Sequence, residues 1–153
     1  MKFSYIDIKS GNATCIFEID KKKFEFYPSF HSDGLGDFVT YLASVHPLCK
    51  LSWKDGAFHK TIGGIHWDAG PFLLFWEFKR DFEDLTITIT EKQNFKVEQT
   101  KIPHLPREII KATCDFEEFV ICVVRELDRI INLRGILGYR QEWQNHTFPL
   151  MPL

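Results

Sequence analysis

Apolar and polar residues alternate from the first residues of the chain. Between Lys2 and Lys9, Phe3, Tyr5 and Asp7 interleave with Ser4, Ile6 and Ile8, and Gly11-Asn12 follow. Ala13, Cys15, Phe17 and Ile19 share one parity over Asn12–Asp20, and Phe24 and Phe26 share one over Phe24–Pro28. Period-two alternation punctuated by turn residues predicts an antiparallel meander of three strands. Lys21, Lys22 and Lys23 fit the tip of its second hairpin.

The period then lengthens. Leu35, Phe38, Val39, Leu42 and Val45 recur at helical spacing behind Ser32 and Asp33, either of which can cap the first free N–H groups. Pro47 ends this helix, because the residue before a proline avoids the helical region. Leu51–Trp53, Phe58–Thr61 and Ile65–Trp67 read as short strands around Asp55-Gly56 and Gly63-Gly64. Asp68-Ala69-Gly70-Pro71 is a turn. The almost wholly apolar Phe72–Phe78 suits a central strand. Leu85, Ile87 and Ile89 alternate with Thr86, Thr88 and Thr90, and Asn94–Ile102 continues as a further strand. A loop containing Pro103 and Pro106 leads to the longest helix, capped by Asp115 with Glu118 three residues on. Phe116, Phe119, Val120, Val123, Leu127, Ile130 and Ile131 form its buried stripe, and Gly135 is its natural stop.

The order βββ-α-βββββ-α predicts an α+β fold: a mostly antiparallel sheet of about six to eight strands with both helices on one face. Residues 1–153 read as one domain. The tail over 136–153 is too apolar to dangle, and packs back on the rest.

Composition narrows the function classes. Fifteen Phe, four Trp and four Tyr give an aromatic core with some rings to spare. Nineteen basic against twenty-one acidic residues leave a net charge of -2 and no basic footprint for nucleic acid. No apolar run approaches the roughly 18 residues of a membrane span. The start MKFSYIDIKSGN lacks the apolar region of a secretory leader, and the four cysteines form no CxxC pair, so reduced thiols in a cytoplasmic protein are expected.

Each candidate for chemistry has a plainer reading. His31-Ser32-Asp33-Gly34-Leu35-Gly36-Asp37 opens a helix with glycines, yet matches no phosphate-binding fingerprint and carries acids where an anion would sit. His59, His66 and Asp68 could converge on a metal only if intervening turns allowed it, and ordinary surface roles explain them better. Cys114 stands at the expected start of the second helix, where Asp115, Glu117 and Glu118 oppose thiolate formation. Asp81, Glu83 and Asp84 crowd one turn rather than face across a cleft. Glu77, within an apolar strand, is either partly buried or on the outer face near the strand end. Thr86, Thr88 and Thr90 suit any exposed sheet face. No catalytic residue, metal or cofactor is assigned. A contact surface built on Trp53, Trp67, Trp76, Tyr139 and Trp143 has the weakest competing explanation, with Trp67, Asp68 and Trp143 as its contact residues and neighbouring acids steering a basic partner.

SFHSDGLGDFVTYL, HWDAGPFLLFWEF and GYRQEWQNHTFPL together resemble segments of a group of small, uncharacterised bacterial α+β proteins. In these a Ser/Asp-capped helix, an acid-Pro-Gly turn before an aromatic strand, and a Tyr…Trp…Phe-Pro close recur. Asp68-Ala69-Gly70-Pro71 departs from that turn order. The resemblance implies a bacterial protein of this fold, loosely similar to immunity proteins that neutralise a toxin encoded beside them. It carries over no functional residue. The expected function is therefore non-enzymatic binding of a protein partner. The alternative is a small-ligand or enzymatic pocket between sheet and helices, using Glu77, His66 or Asp68.

Overall fold

The computed structural model describes residues 1–46, 60–94, 105–143, 146 and 148–149. The elements are β1 (Lys2–Lys9), β2 (Asn12–Ile19), β3 (Lys22–Phe26), α1 (Gly34–Val45), β4 (Lys60–Ala69), β5 (Phe72–Asp81), β6 (Asp84–Gln93), β7 (Arg107–Asp115) and α2 (Phe116–Glu142). The α+β class holds, but the single sheet does not. Two antiparallel sheets form instead, one of order β1-β2-β3 and one of order β4-β5-β6-β7.

The N-terminal meander follows its pattern with one amendment. Asp7 takes a left-handed backbone (φ 53°), and the β1–β2 register skips between Ile6 and Lys9. This bulge changes the parity, so Ile8 turns inward with Phe3 and Tyr5. In α1, Asp33 caps Gly36 N–H, and Leu35, Phe38, Val39, Leu42 and Val45 are all buried. His46, the residue before Pro47, is extended (φ −84°, ψ 127°).

The second half differs more. β4 runs unbroken through Gly63-Gly64, so these glycines are strand residues, not a turn. A Cβ on Gly63 would collide with the Tyr41 ring of α1, and the bare backbone lets the helix sit close. The expected strand Leu51–Trp53 lies outside the described residues, as do Phe58, His59 and most of Asn94–Ile102. β7 occupies a stretch expected as loop. Its weak alternation of Ile110, Ala112 and Cys114 against Lys111 and Thr113 is stabilised by pairing with β6 from Asp84↔Asp115 to Glu91↔Arg107.

Nor do the helices share one sheet face. α1 packs on β4, while α2 lies along β1 and also meets β7. β1 is an edge strand, and α2 seals that edge with side chains. Glu126 Oε1 accepts from Tyr5 N–H (2.6 Å), Arg129 donates to Tyr5 C=O (3.1 Å), and Cys122 Sγ accepts from Phe3 N–H (3.2 Å). Arg129 also closes on Glu126 (2.7 Å), so the buried carboxylate has its counter-charge.

Aromatic rings fill the space between the layers. Phe38 of α1 meets Phe3, Trp67, Trp76, Phe78 and Phe119, while Phe17 and Phe26 of the first sheet meet Trp76 of the second. Arg80 ties the ends together: it donates to Val45 C=O and Phe82 C=O and lies 3.8 Å over the Phe116 ring. Among the described residues, no helix is long and apolar enough to cross a membrane.

Candidate functional site

The expected contact residues are not gathered on a surface. Trp67 and Trp143 are fully buried, as are Trp76 and Tyr139. Tyr5 meets both Trp67 and Trp143, and Tyr139 stacks on Trp143, so these rings form one core cluster. Trp53 lies outside the described residues. The surplus of rings is absorbed because two sheets and two helices enclose more volume than one sheet with two helices would.

Asp68 has a different task. Its carboxylate accepts from Ser29 Oγ (3.0 Å), Gly70 N–H (3.0 Å) and Asn94 Nδ2 (3.1 Å), while Ser32 Oγ accepts its backbone N–H (2.8 Å). One side chain thus pins the β4–β5 turn, the β3–α1 connection and the end of β6.

The helix start at His31–Asp37 is a capped terminus. Asp33 Oδ1 accepts from Gly36 N–H (3.2 Å), and Oδ2 lies 3.9 Å from His146 Nδ1. Burial raises the Asp33 carboxyl above its ordinary value, against the opposing pull of the Gly36 bond and His146. His146 Nε2 in turn lies 2.9 Å from Phe30 C=O.

Cys114 is a strand residue of β7, one position before the helix cap, so no helix N-terminus activates it. Burial, followed by the charges of Asp115, Asp20 and Glu118, pushes its thiol up to about 12, and Sγ lies against Leu85 C=O (3.7 Å). Cys15, Cys114 and Cys122 are free. Asp81 and Asp84 face each other at the β5–β6 hairpin, and Thr86 bonds Thr113 across strands (2.9 Å).

His66 and Glu77 do lie near each other, though not between sheet and helices. Both are exposed on the outer face of the four-stranded sheet. There Glu77 of β5 pairs with Gly64 and with Thr88, and Phe75 with His66 and with Thr90. With Lys92, which lies 4.2 Å over the Phe75 ring, they line an open groove of about 740 Å³. Among the described residues, no group of three His, Cys, Asp or Glu could hold a metal ion.

The residues that sequence reasoning passed over sit at the end of α2. Gly135 has φ 66° and ψ 169°, which breaks the helix and resets its phase. Seven residues beyond Ile130, Leu137 should continue the buried stripe. Instead it is 74% exposed, beside Leu133 (69%) and Ile136 (42%), while Tyr139 and Trp143 turn inward. Arg134 and Arg140, both exposed, flank this aliphatic patch. A glycine followed by more apolar residues was the available signal. No family model, curated protein or solved structure matches this chain.

Proposed function

We propose that this protein works by binding another protein, through the patch of Leu133, Ile136 and Leu137. The observation that carries this reading is the exposure of three large aliphatic side chains around the Gly135 break, when Phe116, Phe119, Val120, Val123, Leu127 and Ile130 of α2 are buried. Burying such groups against a partner removes apolar surface from water, a contribution that leaving them solvated forgoes. Arg134 and Arg140 at the rim favour an acidic partner surface, the reverse of the basic partner expected from composition. Neutralisation of a toxin-like protein by capping it is the specific form we propose.

The alternative of a small-ligand or catalytic pocket has less support. Asp68 is committed to its turn, and His66 and Glu77 lie on an open sheet face rather than in an enclosed cleft.

The test is affinity capture from source cells that also express the neighbouring gene product, with the wild type and a Leu133→Glu/Leu137→Glu variant side by side. The wild type should hold one stoichiometric acidic partner. The variant, still folded by circular dichroism, should bind it at least about tenfold more weakly, since central apolar contacts each contribute on the order of 1–2 kcal/mol. Equal binding by both proteins, or a bait that returns without a partner, removes the proposal.

A further inference from the structure

Four core rings carry polar atoms that no other side chain satisfies. Tyr5 of β1, Trp67 of β4, and Tyr139 and Trp143 at the end of α2 are all shut off from solvent. Tyr5 meets Trp67 and Trp143, and Tyr139 stacks on Trp143, so the four form one cluster. Tyr5 Oη, Tyr139 Oη, Trp67 Nε1 and Trp143 Nε1 have no hydrogen-bond partner among the described residues. A buried polar group without a partner is costly, and native proteins keep few of them. An indole N–H can rest on the face of a neighbouring ring. A hydroxyl also has two acceptor lone pairs, which a ring face does not serve. The two tyrosines therefore call for a further polar group.

The start of α1 adjoins this cluster. A Cβ on Gly34 would stand 2.7 Å from the Trp67 ring, so the helix end is pressed against it. Asp33, the N-cap, is partly buried there. Its Oδ1 accepts from Gly36 N–H, while Oδ2 lies 3.9 Å from His146 Nδ1, beyond hydrogen-bond length. Oδ2 thus has acceptor capacity to spare. Burial first, then Tyr139, Cys15 and Asp33, raise the Tyr5 hydroxyl above its ordinary value, and burial followed by Asp33 does the same to Tyr139. Both hydroxyls are therefore within electrostatic reach of one carboxylate. Yet they bond neither to it nor to each other.

We infer that Tyr5 Oη, Tyr139 Oη and the Asp33 carboxylate hold an ordered internal water at the start of α1. A buried water makes about three hydrogen bonds, and these three groups supply that number. Water also fits the chemistry of the cluster better than an ion does. Asp33 and Asp37 disfavour an anion, and the N–H groups of Trp67 and Trp143 in the same cluster disfavour a cation. Water is neutral, accepts from one hydroxyl and donates to the carboxylate. Ring centroids only 5.7 Å (Tyr5–Trp143), 6.1 Å (Tyr5–Trp67) and 6.2 Å (Tyr139–Trp143) apart leave no place for a larger ligand. The bound water fastens the end of α2 to β1 and to the α1 cap, which share no direct bond through these side chains. The site is independent of the α2 patch.

The experiment is oxygen-17 relaxation dispersion of solvent water around the full chain, which counts long-lived internal water, paired with urea unfolding. Tyr5→Phe, Tyr139→Phe and the double variant keep the ring shapes and remove only hydroxyls, and near-ultraviolet circular dichroism checks that the rings stay packed. Each single variant should lose internal-water amplitude relative to the wild type and unfold at a lower urea midpoint. The double variant should lose little more than either single one, because both hydroxyls serve the same water. Unchanged amplitude in both single variants overturns the inference. So do single variants at least as stable as the wild type, since removing a hydroxyl that bonds nothing costs nothing. A midpoint that follows chloride concentration at fixed ionic strength, and ceases to in Tyr139→Phe, also overturns it by placing an anion there.

Discussion

Asp68 joins three chain segments through one carboxylate, and its environment makes its contribution measurable. Ser29, Gly70 and Asn94 all donate to it in a partly buried corner. Truncation leaves those donors without their charged acceptor, and hydrogen bonds to charged groups are worth about 1.5–3 kcal/mol each. Partial access of water offsets some of that loss, so Asp68→Ala should lower stability by about 2–3 kcal/mol in urea denaturation. Cys114 gives a second prediction at this scale. Its folded pKa is raised from 9.0 to about 12, so between those values the unfolded chain has lost the proton that the folded chain retains. Stability must therefore fall as pH rises through that window, and below it the thiol has no effect. Tyr5, Cys15 and Tyr139, also raised by burial, add to the same slope. Urea midpoints measured on both sides of pH 9 should show a shallower decline for Cys114→Ala than for the wild type.

Gly135 decides the course of α2. Helix propensity alone favours alanine over glycine by about 1 kcal/mol, and a Cβ here would meet nothing within 4 Å. Yet φ 66° with ψ 169° lies in a region that only glycine occupies readily, and forcing another residue there costs about 1–3 kcal/mol. Gly135→Ala should thus destabilise the protein, detectable as a lower melting temperature, and should loosen the seating of Tyr139 and Trp143, read as a change in tryptophan fluorescence. A more stable variant would mean that the helix tolerates a straight continuation. The same element shows how a polar residue can serve an edge. Glu126 lies inside the apolar half of α2, and only the edge of β1 makes sense of it: the carboxylate takes the N–H that an additional strand would have taken.

At the scale of the whole molecule, the two sheets and two helices share one core, and Phe38 touches both sheets and α2. Removing it opens a cavity bounded by rings that cannot collapse without leaving their own contacts. Phe38→Ala should cost about 3–5 kcal/mol, in the range for large aromatic truncations. Because the cavity borders both sheets, intrinsic fluorescence and far-ultraviolet circular dichroism should lose their signals at one shared, lower denaturant midpoint. Separate midpoints would show that the sheets unfold independently.

Local periodicity determined much of this molecule. The meander, the capped α1, the Leu85–Ile89 face of β6 and the stripe of α2 from Phe116 to Ile130 follow from residues a few positions apart, whose burial each element settles for itself. Other features depend on residues far apart in the chain. β7 has weak alternation of its own and exists because β6 offers it a ladder. Gly63-Gly64 has the composition of a turn and is held extended by Tyr41 and β5. Trp67 and Trp143 are large amphipathic rings that suit a core or an interface equally well, and only the enclosed volume between two sheets placed them inside. Leu137 continues a buried stripe on paper and faces water because one glycine upstream changed the helix phase. The patterning of each segment was thus set by its own sequence. Which faces met and which apolar residues were left outside were decided by packing, since burial is a property of the assembled chain.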